Sequence, residues 1–197
     1  MRMRRTCKRR ELQLADRDGQ QIVSYDLYNF ARSILGYARL ERNPHLYWAR
    51  ELENWHPRSL WLEPRHTYKS TLFTKTYPIW RLLWDPNLRI LLVNATAENA
   101  EAFLNEIVGH YLRNEKLIAL YYQCFTRPPL DPLAAKTKSI VLNTRTRNYS
   151  EPSIATVGAL GNLVSAHYDL IIVDDLCNID DRESPSIREK KKRWFQD

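Results

Sequence analysis

Lys69 and Ser70 stand where an apolar run gives way to a helical pattern, a placement suited to phosphate chemistry. They lie in the stretch Glu63-Pro64-Arg65-His66-Thr67-Tyr68-Lys69-Ser70-Thr71. A helix N-terminus carries N–H donors without intrahelical partners and a partial positive charge, so phosphate binds there readily. A lysine at that point reaches the outer phosphates, and a hydroxyl holds magnesium. Glycine usually occupies the positions held here by Glu63 and Tyr68, because the backbone must turn tightly between them. Taken alone, the stretch also reads as a surface Lys-Ser pair at a helix start.

A second group lies far downstream. Tyr168-Asp169-Leu170-Ile171-Ile172-Val173-Asp174-Asp175 is an aliphatic run that delivers two carboxylates at its end. Ligands of an open α/β sheet bind outside the carboxyl ends of the strands, so both acids would face the mouth where the Lys69 loop opens. There the first carboxylate can hold magnesium, usually through water, and the second can orient or deprotonate an attacking water. An Asp-Asp turn after a core strand is the plainer reading of the pair in isolation. Together with Lys69 and Ser70 it forms a set for phosphoryl transfer to water.

These residues need elements to position them. Ser59-Leu60-Trp61-Leu62 is short, apolar and preceded by His56-Pro57, which predicts a buried strand leading into the loop. Beyond Thr71, the residues Leu72, Tyr77, Ile79, Trp80, Leu82 and Leu83 predict a helix ending at Asp85-Pro86, which Pro78 should kink or divide. Arg89 to Val93 reads as the second core strand. Thr96 caps a helix whose apolar face carries Ala100, Phe103, Leu104, Ile107, Val108, Tyr111 and Leu112. Leu117 to Phe125 suggests another helix, and Arg127-Pro128-Pro129-Leu130-Asp131-Pro132 breaks the chain. Ser139 to Asn143 and Ser153 to Val157 read as strands, followed by a turn at Gly158, Gly161 and Asn162. Ser184-Pro185 opens a last helix with Ile187, Trp194 and Phe195 on one side and a basic run around the rest.

Upstream, Leu27, Phe30, Ala31, Ile34, Leu35 and Ala38 recur at helical spacing, and Pro44 to Glu53 predicts a second helix. Residues 1–20 read as a flexible basic arm, 21–57 as an N-terminal helical segment and 58–197 as an α/β core. The 197 residues, 44% of them hydrophobic, suffice for one such domain, and the net charge of +7 fits a polyanionic partner. The three cysteines form no C-x-x-C pair, so neither a zinc site nor a disulfide framework is indicated. The arginine-rich start has no apolar signal core behind it, and no stretch approaches the length of a membrane span, which predicts a soluble protein.

In order along the chain, Pro64-Arg65 with Lys69-Ser70-Thr71, Asn87 to Thr96 with Ala100, Glu151 to Thr156, His167 to Asp175, Arg188 and Trp194-Phe195 resemble one family. It is the ATPase domain of the large subunit of tailed-phage terminases, and the resemblance runs from about Asp26 to the end. It implies an α/β P-loop NTPase of the ASCE type, with a mostly parallel central sheet flanked by helices and an N-terminal helical extension. ATP and Mg2+ would be the cofactors. Pro64, Arg65, His66, Thr67, Tyr68, Lys69, Ser70 and Thr71 would bind the nucleotide, with Lys69 on the β- and γ-phosphates and Arg65 sensing or stabilising the γ-phosphate. Ser70 and Asp174 would hold magnesium, and Asp175 the attacking water. Tyr47, Trp48 and Trp55 are the rings available to stack on adenine, although aromatics at helical spacing more often belong to a core.

Double-stranded DNA, a portal or procapsid and the small terminase subunit are the implied partners, several copies would form a ring, and the host cytoplasm is the implied location. Three departures stand out. His66 and Tyr68 replace small residues, Asp175 is shorter than the glutamate many members use, and the next strand and the nuclease domain do not follow, so the chain reads as a fragment. Two other functions fit parts of the sequence: a metal-dependent nuclease built on Asp169, Asp174, Asp175, Asp180 and Asp181, and a catalytically inactive DNA- or capsid-binding module.

Overall fold

The computed structural model describes residues 14–15, 21–22, 26–54, 56–162, 166–177 and 184–196. Its aliphatic segments form β3 (Ile90–Asn94), β4 (Ser139–Ile140), β5 (Ile154–Gly158) and β6 (Leu170–Val173), ordered β4-β5-β3-β6 in one sheet. β3 runs parallel to β5 and to β6, while β4 is antiparallel to β5. The fold is therefore α/β, with a four-strand mixed, mostly parallel sheet packed against helices. A separate two-stranded ladder joins β1 (Leu14–Ala15) to β2 (Gln21–Ile22), the first within the stretch read as a flexible arm.

All five residues of β3 are buried, as befits a strand with neighbours on both edges and both faces covered. Among the described residues β6 lies at one edge of the sheet, and its residues alternate in burial. Leu170 and Ile172 pack toward the helices, while Ile171 and Val173 are 56% and 36% exposed on the other face. β4 is shorter than its apolar run predicts, because the backbone leaves the ladder after Ile140. The Leu142 N–H donates to Ser153 Oγ at 3.1 Å and the Asn143 N–H to the Pro129 carbonyl at 2.9 Å.

Asp26 caps α1 (Leu27–Asn29), its Oδ1 accepting from the Asn29 N–H at 2.7 Å, and the helix widens into π-helical turns over Phe30–Ile34. Leu27, Phe30, Ala31, Ile34 and Leu35 are buried as their spacing predicts. Ala38 is exposed instead, since the helix has ended and Gly36 has turned the chain at φ +82°. The second helix comprises wide turns at Arg42–Leu46 and α2 (Tyr47–Glu53). After the loop, π-helical Thr71–Thr76 passes into α3 (Tyr77–Trp84), the change falling beside Pro78, which has no N–H to donate. Thr96 and Asn114 cap α4 (Ala97–Arg113) and α5 (Glu115–Phe125), and α6 (Pro185–Gln196) closes the described chain.

The main core joins Ile90 and Leu92 of β3 to Ile79 and Leu82 of α3, Leu104, Ile107 and Tyr111 of α4, and Leu117 and Tyr121 of α5. Each such buried side chain contributes about 1.5–3 kcal/mol. A second cluster, with Leu27, Trp48, Leu72 and Tyr77, binds the N-terminal helices to the helix behind the loop. On the opposite face of the sheet, Leu91, Val93 and Ala155 meet Tyr168 and Trp194. The Trp194 indole N–H also donates to the Gly161 carbonyl at 2.7 Å, so α6 covers the sheet with this ring and leaves Phe195 62% exposed.

One expected strand is corrected. Ser59–Leu62 pairs with no strand among the described residues, and Leu60 and Leu62 are 84% and 83% exposed. An apolar run forms a strand only where its N–H and C=O groups find a ladder, and here only Trp61 packs, its ring 4.8 Å from that of Phe73. Among the described residues, no helix is long and apolar enough to cross a membrane.

Candidate functional site

The loop from Pro64 to Thr71 turns through two left-handed residues, His66 at φ 64° and Tyr68 at φ 56°. Such a backbone costs a residue with a Cβ about 1–2 kcal/mol, which is why glycine is common there. Tyr68 stands where glycine is the usual residue, and its backbone adopts the conformation that glycine supplies elsewhere. Contacts from outside and within the loop support the turn. Thr67 Oγ1 donates to the Pro64 carbonyl at 2.8 Å, Arg39 Nη1 donates to the Tyr68 hydroxyl at 3.2 Å, and His45 Nε2 lies 2.9 Å from the Thr67 carbonyl. The helix begins at Lys69 and Ser70, with the Leu72 N–H donating to the Tyr68 carbonyl at 3.2 Å.

The acidic half comes from the end of β6. Beyond the strand, the Asp174 N–H donates to the Val93 carbonyl at 2.9 Å, and the Ala95 N–H to the Asp175 carbonyl at 3.2 Å. Asn94 Nδ2 adds a bond to the Asp174 carbonyl at 2.8 Å. The backbone of both aspartates is thereby tied to β3, and Asp175 turns left-handed at φ 47°. Their side chains diverge. Asp175 reaches the loop, its Oδ1 accepting from Lys69 Nζ at 2.9 Å. Asp174 is buried, and its Oδ2 accepts from Thr74 Oγ1 at 2.7 Å.

Arg65, His66, Thr67, Tyr68, Lys69, Ser70, Thr71 and Asp175 line one cavity of about 600 Å³. The structure thus brings together Lys69, Ser70, Arg65 and Asp175, at the start of a helix and the end of a strand. Asp174 lies outside that lining and is clasped to the helix by Thr74. Sequence reasoning missed Thr74, although its position four residues after Ser70 places it near the same helical face. It also missed His45, whose contact with the loop no local pattern announces. The Lys69 and Asp175 side chains are 27% and 66% exposed, so their ion pair is worth at most about 1 kcal/mol and yields readily to a better ligand.

The remaining candidates are placed as follows. Trp48 is 4% exposed, wedged between the rings of His45 and Phe73, and is a core residue unavailable for stacking on a base. Tyr47 is 62% exposed, and Trp55 lies outside the described residues. Asp169 sits at the opposite end of β6, gripped by Arg89 through Nε at 3.0 Å and Nη2 at 3.1 Å. The four residues of β6 separate it from Asp174, five steps of extended chain or ~16 Å, whereas two catalytic metals stand about 4 Å apart. Asp180 and Asp181 lie outside the described residues, and among the described residues no group of three or more His, Cys, Asp and Glu side chains could hold a metal.

At that far end, Arg89 Nη1 also reaches Glu151 Oε2 at 3.4 Å. The His167 N–H, donating to Glu151 Oε1 at 2.9 Å, is the largest influence holding the Glu151 carboxyl down at about 2. The Arg89 hydrogen bonds likewise hold Asp169 below the usual carboxylate range. Compared with known protein families the chain matches none, and no curated protein matches it.

Proposed function

We propose that this chain binds and hydrolyses Mg-ATP as a P-loop NTPase of the ASCE type, and that it serves as the packaging motor of a terminase. The observation that carries the reading is the meeting, in one cavity, of Lys69 at a helix N-terminus with Asp175 at a strand end, 106 residues apart in sequence and 2.9 Å apart in space. A helix start with a lysine and a hydroxyl suits the triphosphate, and a carboxylate beside it suits the attacking water.

Lys69 exchanges Asp175 for the β- and γ-phosphates, and the exchange releases the Asp175 carboxylate to orient water. Arg65, which lines the same cavity, would sense or stabilise the γ-phosphate, as the resemblance implies. Of the two residues that would hold Mg2+, Ser70 lies on the cavity lining, whereas Asp174 is buried outside it with Oδ2 committed to Thr74, so its part would run through an intervening water. The metal would neutralise charge that builds on the phosphate oxygens. The net charge of +7 suits a double-stranded DNA partner. Translocation into a procapsid through a portal, the small terminase subunit, a ring of copies and a host-cytoplasmic setting rest on the sequence resemblance.

The test is calorimetric titration with Mg-ATP of the wild type beside Lys69→Ala, both checked for folding by circular dichroism. The expected result is binding by the wild type and at least ~100-fold weaker binding by the variant, the scale of a lost charge-assisted contact to phosphate. A folded wild type that binds no Mg-ATP overturns the motor reading in favour of an inactive DNA- or capsid-binding module.

A further inference from the structure

We propose that His45 is a positioning residue that holds the Pro64 to Thr71 loop in its phosphate-receiving shape, the task that glycines perform where a loop contains them. The ligand named here rests on the nucleotide reading; the ordering of the loop does not.

His45 is 5% exposed and belongs to the N-terminal helices. Its Nδ1 lies 2.9 Å from the Glu41 main-chain nitrogen and 3.2 Å from the Glu41 carbonyl, and its Nε2 lies 2.9 Å from the Thr67 carbonyl. A main-chain N–H only donates and a carbonyl only accepts. The shorter Nδ1 contact therefore makes Nδ1 the acceptor, and Nε2 carries the proton that it gives to Thr67. The edge of Trp48, 5.2 Å away at an interplanar angle of 81°, fixes the ring.

The point of attachment is what matters. Thr67 is the residue between His66 and Tyr68, the two left-handed positions of the loop. A turn that strains two residues with Cβ atoms persists only where its surroundings over-determine it. Of the supports described, the bond from His45 reaches across 22 residues from a buried ring to the middle of the strained pair. The bond inside the loop, Thr67 Oγ1 to Pro64, and the exposed bond from Arg39 to Tyr68 are anchored less firmly.

The experiment uses the full chain with His45→Phe, which keeps a ring against Trp48 and removes both nitrogens, and the double variant His45→Phe/His66→Gly. Limited proteolysis within residues 64–71 and amide hydrogen exchange at Leu72, whose N–H donates to the Tyr68 carbonyl at 3.2 Å, report loop order without nucleotide, and Mg-ATP titration reports its consequence. In His45→Phe, loop protection and Mg-ATP affinity are each expected to fall by about tenfold, the equivalent of an acceptor left unpaired. The added glycine is expected to recover most of the lost affinity by relieving one left-handed residue. Unchanged protection in a folded His45→Phe overturns the proposal, and so does a loss that glycine does not relieve, because a purely core role for His45 ignores the composition of the loop. A wild-type loop that is cleaved as fast as an unstructured peptide, with a Leu72 amide that exchanges as fast, overturns it without any variant. If the wild type binds no Mg-ATP, the nucleotide reading fails, and the exchange comparison still decides whether His45 orders the loop.

Discussion

The two ends of the parallel strands hold similar ingredients and use them oppositely. Where β3 and β6 begin, Arg89 is shared between Asp169 and Glu151, its guanidinium lies 4.7 Å over the Tyr149 ring, and Arg145 stacks on the same ring at 4.9 Å. Arg145 also donates to the Glu151 carbonyl at 2.7 Å. Where the strands finish, Lys69 and Asp175 share one partly exposed ion pair on the wall of a cavity. Charge with several fixed protein partners fastens strands together. Charge with one exchangeable partner and adjoining space is available to a ligand.

Four substitutions test that contrast, beginning with the largest effect. Asp175→Ala is expected to lower the rate of ATP hydrolysis by at least ~100-fold, the usual loss of a group that positions or deprotonates water, while Mg-ATP affinity by calorimetry is no weaker than in the wild type. Joint loss of binding and turnover would make Asp175 a metal ligand or a fold determinant. Lys69→Ala should lose Mg-ATP binding yet change stability in urea by less than ~1 kcal/mol, since its ion pair is exposed.

Arg89→Ala reverses that pattern. Denaturant unfolding should show a loss of about 2 kcal/mol, moderated because Asp169 is partly exposed, with Mg-ATP affinity of the folded protein unchanged. A nucleotide defect in this variant would erase the distinction between the two ends. The smallest effect concerns Glu151→Gln and acid. The folded Glu151 carboxyl is held at about 2, below the ~4.3 of an unfolded glutamate. Its contribution is therefore complete above the unfolded value and is lost as the pH falls toward 2. Thermal melts should show the variant less stable at pH 7 and less sensitive than the wild type between pH 4.5 and 2.

Residue patterning made much of the framework legible. Thr96 followed by a periodic apolar face predicts α4, whose Ala100, Leu104, Ile107 and Tyr111 are buried, and the aliphatic run before Asp174 predicts β6. Ser59–Leu62 shows where patterning fails, because apolar composition cannot say whether a neighbouring strand is present to pair with. The site divides along the same line. Lys69, Ser70 and Asp175 are recognisable from residue type beside element boundaries, and they share the cavity. Asp174 carries the same local signature but turns to Thr74, a choice set by how the helix and strand pack. Missing glycines suggest that the loop lacks its tight turn, yet His66 and Tyr68 adopt it, supported by a ring from a distant helix.

The sheet's pairing also sets the order of events during folding. β3 pairs in register with two segments that emerge much later, Ile90 meeting both Ile154 and Leu170, and the Arg89–Asp169 contact beside them spans 80 residues. Long closures of this kind place assembly in the slower range for single domains, because entropy is lost before the contacts that repay it form. Asp175 can meet Lys69 only after β6 has docked on β3, so the cavity is completed late. Acquisition of Mg-ATP binding in a refolding experiment should therefore lag behind the formation of α4 and α5, whose hydrogen bonds are local.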